Sequence, residues 1–181
     1  MSGPRLLDGA LLDDFESLLQ ARGIRTDALA PGLADHEIDE IVGPLELELP
    51  EELRAWWRWH NGGPVELLPA RAMYSLQHAV AQYAQGIRPD AGYHGDPERA
   101  LRPVSEKAVI LIRCAGSGRI PAPVYSLHDW TSDARLALPS FGELVHTWMG
   151  YVEQGIYAAR SPDGWSDEQD FPPEVRALGV V

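Results

Sequence analysis

The side chains able to do covalent or metal chemistry are few and scattered. Histidines stand at His36, His60, His78, His94, His128 and His146. No two of them have the i, i+4 spacing that sets two imidazoles on one helical face as metal ligands. A metal site would have to be assembled from distant residues, such as His128 and Asp129 with a third group. His60 closes an apolar helical stripe and His146 flanks another, so both also read as packed or hydrogen-bonded structural residues. Cys114 is the one cysteine, which excludes an internal disulfide and a cysteine-based zinc site. It follows an apolar run, where a free cysteine behaves as a small apolar residue. Ser117 lies in Gly116-Ser117-Gly118, without the Gly-x-Ser-x-Gly elbow of a serine nucleophile. The same turn lacks the Gly-Lys-Ser/Thr ending of a phosphate loop. Lys107, the single lysine, has no motif around it. Carboxylates are so abundant that no particular pair stands out as an acid–base couple.

That abundance is itself informative. The chain has 181 residues and a formal charge of −12. Between positions 26 and 53 stand Asp27, Asp35, Glu37, Asp39, Glu40, Glu46, Glu48, Glu51 and Glu52, with no lysine or arginine. A second run holds Asp163, Asp167, Glu168, Asp170 and Glu174. Such a field repels nucleic acid and anionic membranes and attracts basic protein surfaces. The plainer alternative is that the charge maintains solubility. No basic segment followed by an apolar stretch opens the chain, and no apolar run approaches the ~20 residues that span a bilayer. A cytoplasmic protein is the expectation, with a protein partner, no nucleic acid and no membrane.

The elements that would position these residues follow from periodicity. Leu11, Leu12, Phe15, Leu18 and Leu19 form a helical stripe over 8–22. A short helix over 34–42 carries Ile38, Ile41 and Val42. Leu45, Leu47 and Leu49 alternate with Glu46 and Glu48, the period of an extended segment. Pro50 then suits a helix start. Leu53, Trp56, Trp57 and His60 share one face of that helix, and Asn61-Gly62-Gly63 stops it. Three tryptophans in four residues offer roughly 150–250 Å² of ring surface each. Trp59 is rotated from Trp56 by about 60°, so it is either rim packing or a surface contact.

Glu66-Leu67-Leu68-Pro69 and Ala72-Met73-Tyr74 read as short extended pieces, and Ser75 as the cap of another helix. Positions 86–102 read as a long loop. Val109-Ile110-Leu111-Ile112 is a buried strand, Gly116-Ser117-Gly118 a turn and Pro123–Leu127 the returning strand. Ser140 followed by Glu143 is a capping box. It opens a helix whose apolar face is Phe141, Leu144, Val145, Trp148, Met149 and Val152. Helices lie early and late with strands between them, which disfavours a regularly alternating βαβ fold.

An acidic residue on a short helix, then Gly, Leu-Pro and an aromatic helix ending in Asn-Gly-Gly, resembles the SUKH superfamily. The matching residues are Ile38, Glu40, Gly43, Leu49-Pro50 and Asn61-Gly62-Gly63. The link over 44–48 is a few residues longer than the family's usual one. Leu67-Leu68-Pro69, Pro103-Val104, Pro123-Val124-Tyr125 and Ser140-Phe141 follow the family order, so the resemblance spans about 33–157. That superfamily includes a fungal cell-wall synthesis regulator and many bacterial toxin-immunity proteins.

The resemblance implies an α+β single domain with a mixed β-sheet flanked by helices, and binding instead of catalysis. No catalytic residue, cofactor or metal is then expected. Residues 1–32 would be an N-terminal helical extension, 33–160 the SUKH-like domain, and 161–181 an acidic tail packed on it. The implied role is an immunity protein that neutralises a polymorphic toxin, of which a basic nuclease would suit the charge. The alternatives are a regulatory or scaffold module for a cellular protein, and a metal-dependent enzyme. Candidate partner-binding residues are Glu40, Glu46, Glu48, Trp59, Asp163, Asp167, Glu168 and Asp170. For Glu40 the competing role is a structural cap or an ion pair, such as one with Arg54 or Arg58.

Overall fold

Helix starts are set by side chains that accept the otherwise unpaired N–H groups of the first turn. The Asp8 carboxylate accepts the Leu11 N–H at 2.9 Å and opens α1 (Gly9–Ala21), which buries Leu11, Leu12, Phe15 and Leu19. Glu37 accepts the Ala34 N–H at 2.7 Å at the start of α2 (Asp35–Val42). Pro50 caps α3 (Glu51–Trp59), one position earlier than a first-turn proline. The Ser75 hydroxyl accepts the His78 N–H at the start of α4 (Leu76–Ala84). Ser140 opens α5 (Phe141–Glu153). The computed structural model describes residues 3–45, 47–68, 71–84, 100–104, 109–114, 121–127, 135–157, 159–161 and 164–165.

Eight strands accompany the helices among the described residues. β1 (Glu66–Leu68) pairs with β2 (Arg71–Ala72). A four-stranded sheet follows in chain order, from β3 (Ala100–Leu101) through β4 (Val109–Arg113) and β5 (Val124–Leu127) to β6 (Arg135–Leu138). β7 (Ala159–Ser161) pairs with β8 (Gly164–Trp165). The architecture is α+β, but the expected mixed sheet is corrected: every named strand pair is antiparallel. Sheet neighbours are also sequence neighbours, joined by links shorter than the dozen or more residues a parallel crossover requires.

Other differences are local. The extended segment expected at 45–49 begins instead as a 3₁₀ turn at Gly43–Leu45, although Leu47 and Leu49 are buried and Glu48 between them is exposed. The loop expected at 86–102 ends in β3, while residues 85–99 lie outside the described residues. The turn expected at 116–118 also lies outside them. β6 and the β7–β8 pair had no counterpart in the sequence reading. The core is one apolar cluster to which Phe15 of α1, Trp56 and Trp57 of α3, Ile112 of β4 and Trp148 of α5 all belong. Thus α1 is built into the same core as the rest of the chain, against α3 and α5.

The Ser140–Glu143 box forms by half. The Ser140 hydroxyl accepts the Glu143 N–H at 3.1 Å, but Glu143 does not reach back to Ser140. Its Oε1 accepts the Arg5 N–H at 2.8 Å instead, and the Ser140 hydroxyl donates to the Arg5 carbonyl. Residues 5–7 are therefore laid across the start of α5. A Cβ built on Gly142 would lie 2.4 Å from the Leu6 carbonyl carbon and 2.5 Å from the Leu7 nitrogen. Only glycine allows that approach.

Beneath this crossing lies Glu52, a side chain from the first turn of α3 that is only 2% exposed. Its Oε1 accepts the Leu7 and Gly142 N–H groups, each at 2.8 Å, and its Oε2 accepts the Ala122 N–H at 2.5 Å. Since Gly142 is in the first turn of α5, the carboxylate sits at the positive ends of two helix dipoles. Charge-assisted bonds of this kind are the strong ones, and a buried charge is tolerated only with such partners.

Substitution Glu52→Gln keeps the shape but turns an amide N–H₂ toward a backbone donor. The expected loss is roughly 1–3 kcal/mol, or about 2–12 °C in Tm for a domain of this size. Glu52→Ala leaves all three donors unpaired and should cost more than the glutamine; calorimetry showing Ala as stable as wild type would refute the role assigned to Glu52. Gly142→Ala should destabilise by a comparable amount through the collision with residues 6–7, read by the same scan.

Candidate functional site

The polar side chains that converge outside the main core do so at the far end of α3. Glu16 lies one helical turn after Leu12 on α1, so its carboxylate is carried inward with the apolar stripe. There the Trp59 indole N–H donates to Oε2 at 2.9 Å, while Thr26 Oγ1 at 2.8 Å and Gln20 Nε2 at 3.2 Å donate to Oε1. His60 Nε2 stands 3.5 Å from Oε1 of the same carboxylate, and His60 Nδ1 lies 3.2 Å from the Ala30 carbonyl oxygen. Trp59 is wedged among Phe15, Trp56 and His60, with ring centroids at 5.9, 5.3 and 4.6 Å.

Geometry decides what this cluster can do. His60 Nδ1 contacts the Ala30 carbonyl, and Nε2 is buried 3.5 Å from Glu16 without a hydrogen-bond partner among the described residues, so neither nitrogen is open to a bound substrate. Glu16 is likewise spent on protein donors. Burial raises the Glu16 pKa, but the bonds from Trp59 and Thr26 and the neighbouring His60 outweigh it, and the net direction is down from the ordinary 4.5. The cluster is a brace that fixes the Trp59 ring. One wall of a shallow surface groove is that ring, the others being Gly9, Leu12, Asp13, Ala55 and Arg58, enclosing about 270 Å³.

A second surface lies between α2 and α3. Arg54 Nη2 is 2.6 Å from Asp39 and its Nη1 is 3.8 Å from Asp35. Arg58 reaches Asp35 at 3.5 Å and also pairs with Glu51. The acidic run is thus partly neutralised by two arginines that follow it in the chain. The pair expected for Glu40 with Arg54 or Arg58 is corrected. Asp35 and Asp39, four apart, share the α2 face that meets α3, whereas Glu40 is rotated about 100° from Asp39. Glu40 is exposed and makes no ion pair among the described residues.

The expected partner-binding residues therefore separate. Glu40 and Glu48 are exposed, and Trp59 is half-buried in the brace and lines the groove. No hydrogen bond or ion pair joins these three among the described residues. Glu46, Asp163, Asp167, Glu168 and Asp170 lie outside the described residues. Glu16 and Asp13 were not singled out from the sequence. Glu16 could have been found as an acid about 40° beyond Leu12, at the edge of the Leu12–Phe15–Leu19 stripe; Asp13 carries no such mark.

Among the described residues no group of three or more His, Cys, Asp and Glu side chains could hold a metal ion. No described helix is long and apolar enough to cross a membrane. Cys114 is 1% exposed, and burial pushes its thiol up to about 12, so the reactive thiolate is suppressed at neutral pH. No family model matches this sequence, and no curated protein matches it.

The brace has a pH signature. A carboxyl whose folded pKa lies below its unfolded value stabilises the fold above the unfolded value, and that stability is lost as pH falls through the folded one. The Glu16 contribution should therefore be full at neutral pH and disappear progressively below about 4.5. Glu16→Gln should be less stable than wild type in urea titrations at neutral pH. The difference should shrink in acid; a constant difference at every pH would contradict the direction assigned here.

Proposed function

We propose that this chain is a non-catalytic protein-binding domain, with a SUKH-like arrangement of its elements, that serves in the cytoplasm as an immunity protein. Its target would be a polymorphic toxin with a basic surface, a nuclease being the natural class. The observation that carries this reading is the uncompensated acidity of the exposed surface. The formal charge is −12. Arg54 and Arg58 neutralise only part of the acidic run, while Glu40 and Glu48 remain in solvent. A basic nuclease needs its positive surface to hold phosphates, so an acidic cover both speeds association and occupies the surface the substrate requires.

Supporting detail comes from the motif behind the resemblance. Asn61 Oδ1 accepts the Leu76 N–H at 2.8 Å and so caps α4. Gly62 adopts φ 83° where a Cβ would lie 2.6 Å from the Ser75 nitrogen. The Asn-Gly-Gly stop is thus the joint between α3 and α4, and its residues hold the framework, leaving recognition to the surface.

The test is co-expression with any toxin domain found encoded beside this chain, with growth as the readout, followed by association kinetics at low and high salt. Rescue of growth and an association rate that falls steeply with salt are expected. Glu40→Lys with Glu48→Lys should slow association about tenfold at low salt while leaving Tm nearly unchanged. Absence of binding to any such domain, with capture of a housekeeping assembly from lysate, would replace this reading by the regulatory or scaffold module.

A further inference from the structure

The groove between α1 and α3 specifies more than a generic acidic surface. We infer that it is the seat for one arginine side chain of the basic partner, an inference that rests on the binding role proposed above. Its volume of about 270 Å³ falls below the roughly 300–1,000 Å³ of pockets that enclose small molecules. An open groove of that size suits a single long side chain.

The lining matches one in kind. Gly9 and the half-buried Ala55 supply a small-residue floor for an aliphatic stem, above the buried Leu12. Asp13 is exposed and makes no hydrogen bond or ion pair among the described residues, so its carboxylate is available to a guanidinium. The Trp59 ring stands on the same groove, and indole is the aromatic surface that attracts cations best. Its orientation is set in advance by the Glu16 bond at 2.9 Å and by the packing of Phe15 and Trp56. A partner loses little freedom in meeting a ring already fixed, which is how aromatic hot spots gain affinity. Among the described residues Arg58 is the one cation of the lining, and it is held by Asp35 and Glu51. Charge at the groove is therefore decided by Asp13. Arginine is favoured over lysine because a planar fork can both stack on the indole and bond a carboxylate at two points.

The test uses the full chain, isotope-labelled for NMR, titrated with N-acetyl-arginine methylamide and, separately, with the citrulline analogue, which keeps the shape without the charge. Saturable shifts of the Trp59 indole N–H and the Asp13 and Ala55 amides are expected with the arginine compound in the millimolar range. The citrulline compound should shift them far less. Asp13→Asn should weaken binding about tenfold with Tm unchanged. Absence of saturable shifts at these residues, or equal shifts with citrulline, overturns the inference. The toxin assay separates the two proposals. If Asp13→Lys leaves toxin association unchanged, the groove assignment fails and the immunity reading stands. If the arginine compound binds the groove but no toxin domain is bound, the groove stands and the immunity reading fails.

Discussion

Everything distant in this chain meets at one buried carboxylate. Glu52 belongs to α3, yet its three donors come from the N-terminal segment, from the approach to β5 and from the first turn of α5. A charge with 2% exposure must be met by donors on every side, because the cost of desolvating it otherwise exceeds any packing gain. That requirement dictates the neighbours. Leu7 must lie against α5, which forces glycine at position 142, and Glu143 is drawn from its expected cap partner to the Arg5 N–H. The crossing of residues 5–7 over α5 is a consequence of satisfying Glu52.

From that anchor the tryptophan helix reaches outward in three grades. Trp56 is fully buried between Trp59 and Phe141, with centroids 5.3 and 5.1 Å away, and its indole N–H has no hydrogen-bond acceptor among the described residues. Trp57 is also fully buried but donates to the Tyr74 carbonyl at 3.1 Å, tying α3 to the chain ahead of α4. Trp59 is half-buried and spends its donor on Glu16. The same residue type thus serves as filler, as joint and as a rigid surface, according to where the helix turn places it.

The helices were legible in the sequence because their marks are local. Asp8, Ser75 and Ser140 stand where caps must stand, and the apolar stripes they introduce have a period of 3.6. β4 was legible as an apolar run and β5 as the strand returning after a turn. β6 was not, since Arg135-Leu136-Ala137-Leu138 is short and weakly patterned, and only its pairing with β5 makes it a strand. The site was read less well. Acidic residues near one another in sequence suggested a single field. Whether each faces an arginine, a backbone donor or water depends on how α2 and α3 meet, which no local pattern encodes. Glu52 illustrates the limit: one of two adjacent glutamates at a helix start, it carries no local mark of burial, and its donors lie 45, 70 and 90 residues away.

Those separations also bear on how the chain is made. Ribosomes add roughly 5–20 residues per second, and domains form as their parts emerge. Gly142 follows Glu52 by 90 residues, so α3 exists for roughly 5–18 s before its third backbone donor has been synthesised. Throughout that interval Glu52 must stay hydrated, and Trp56 lacks the Phe141 ring that later covers it. The nascent protein therefore carries an aromatic surface that stays uncovered until synthesis reaches α5.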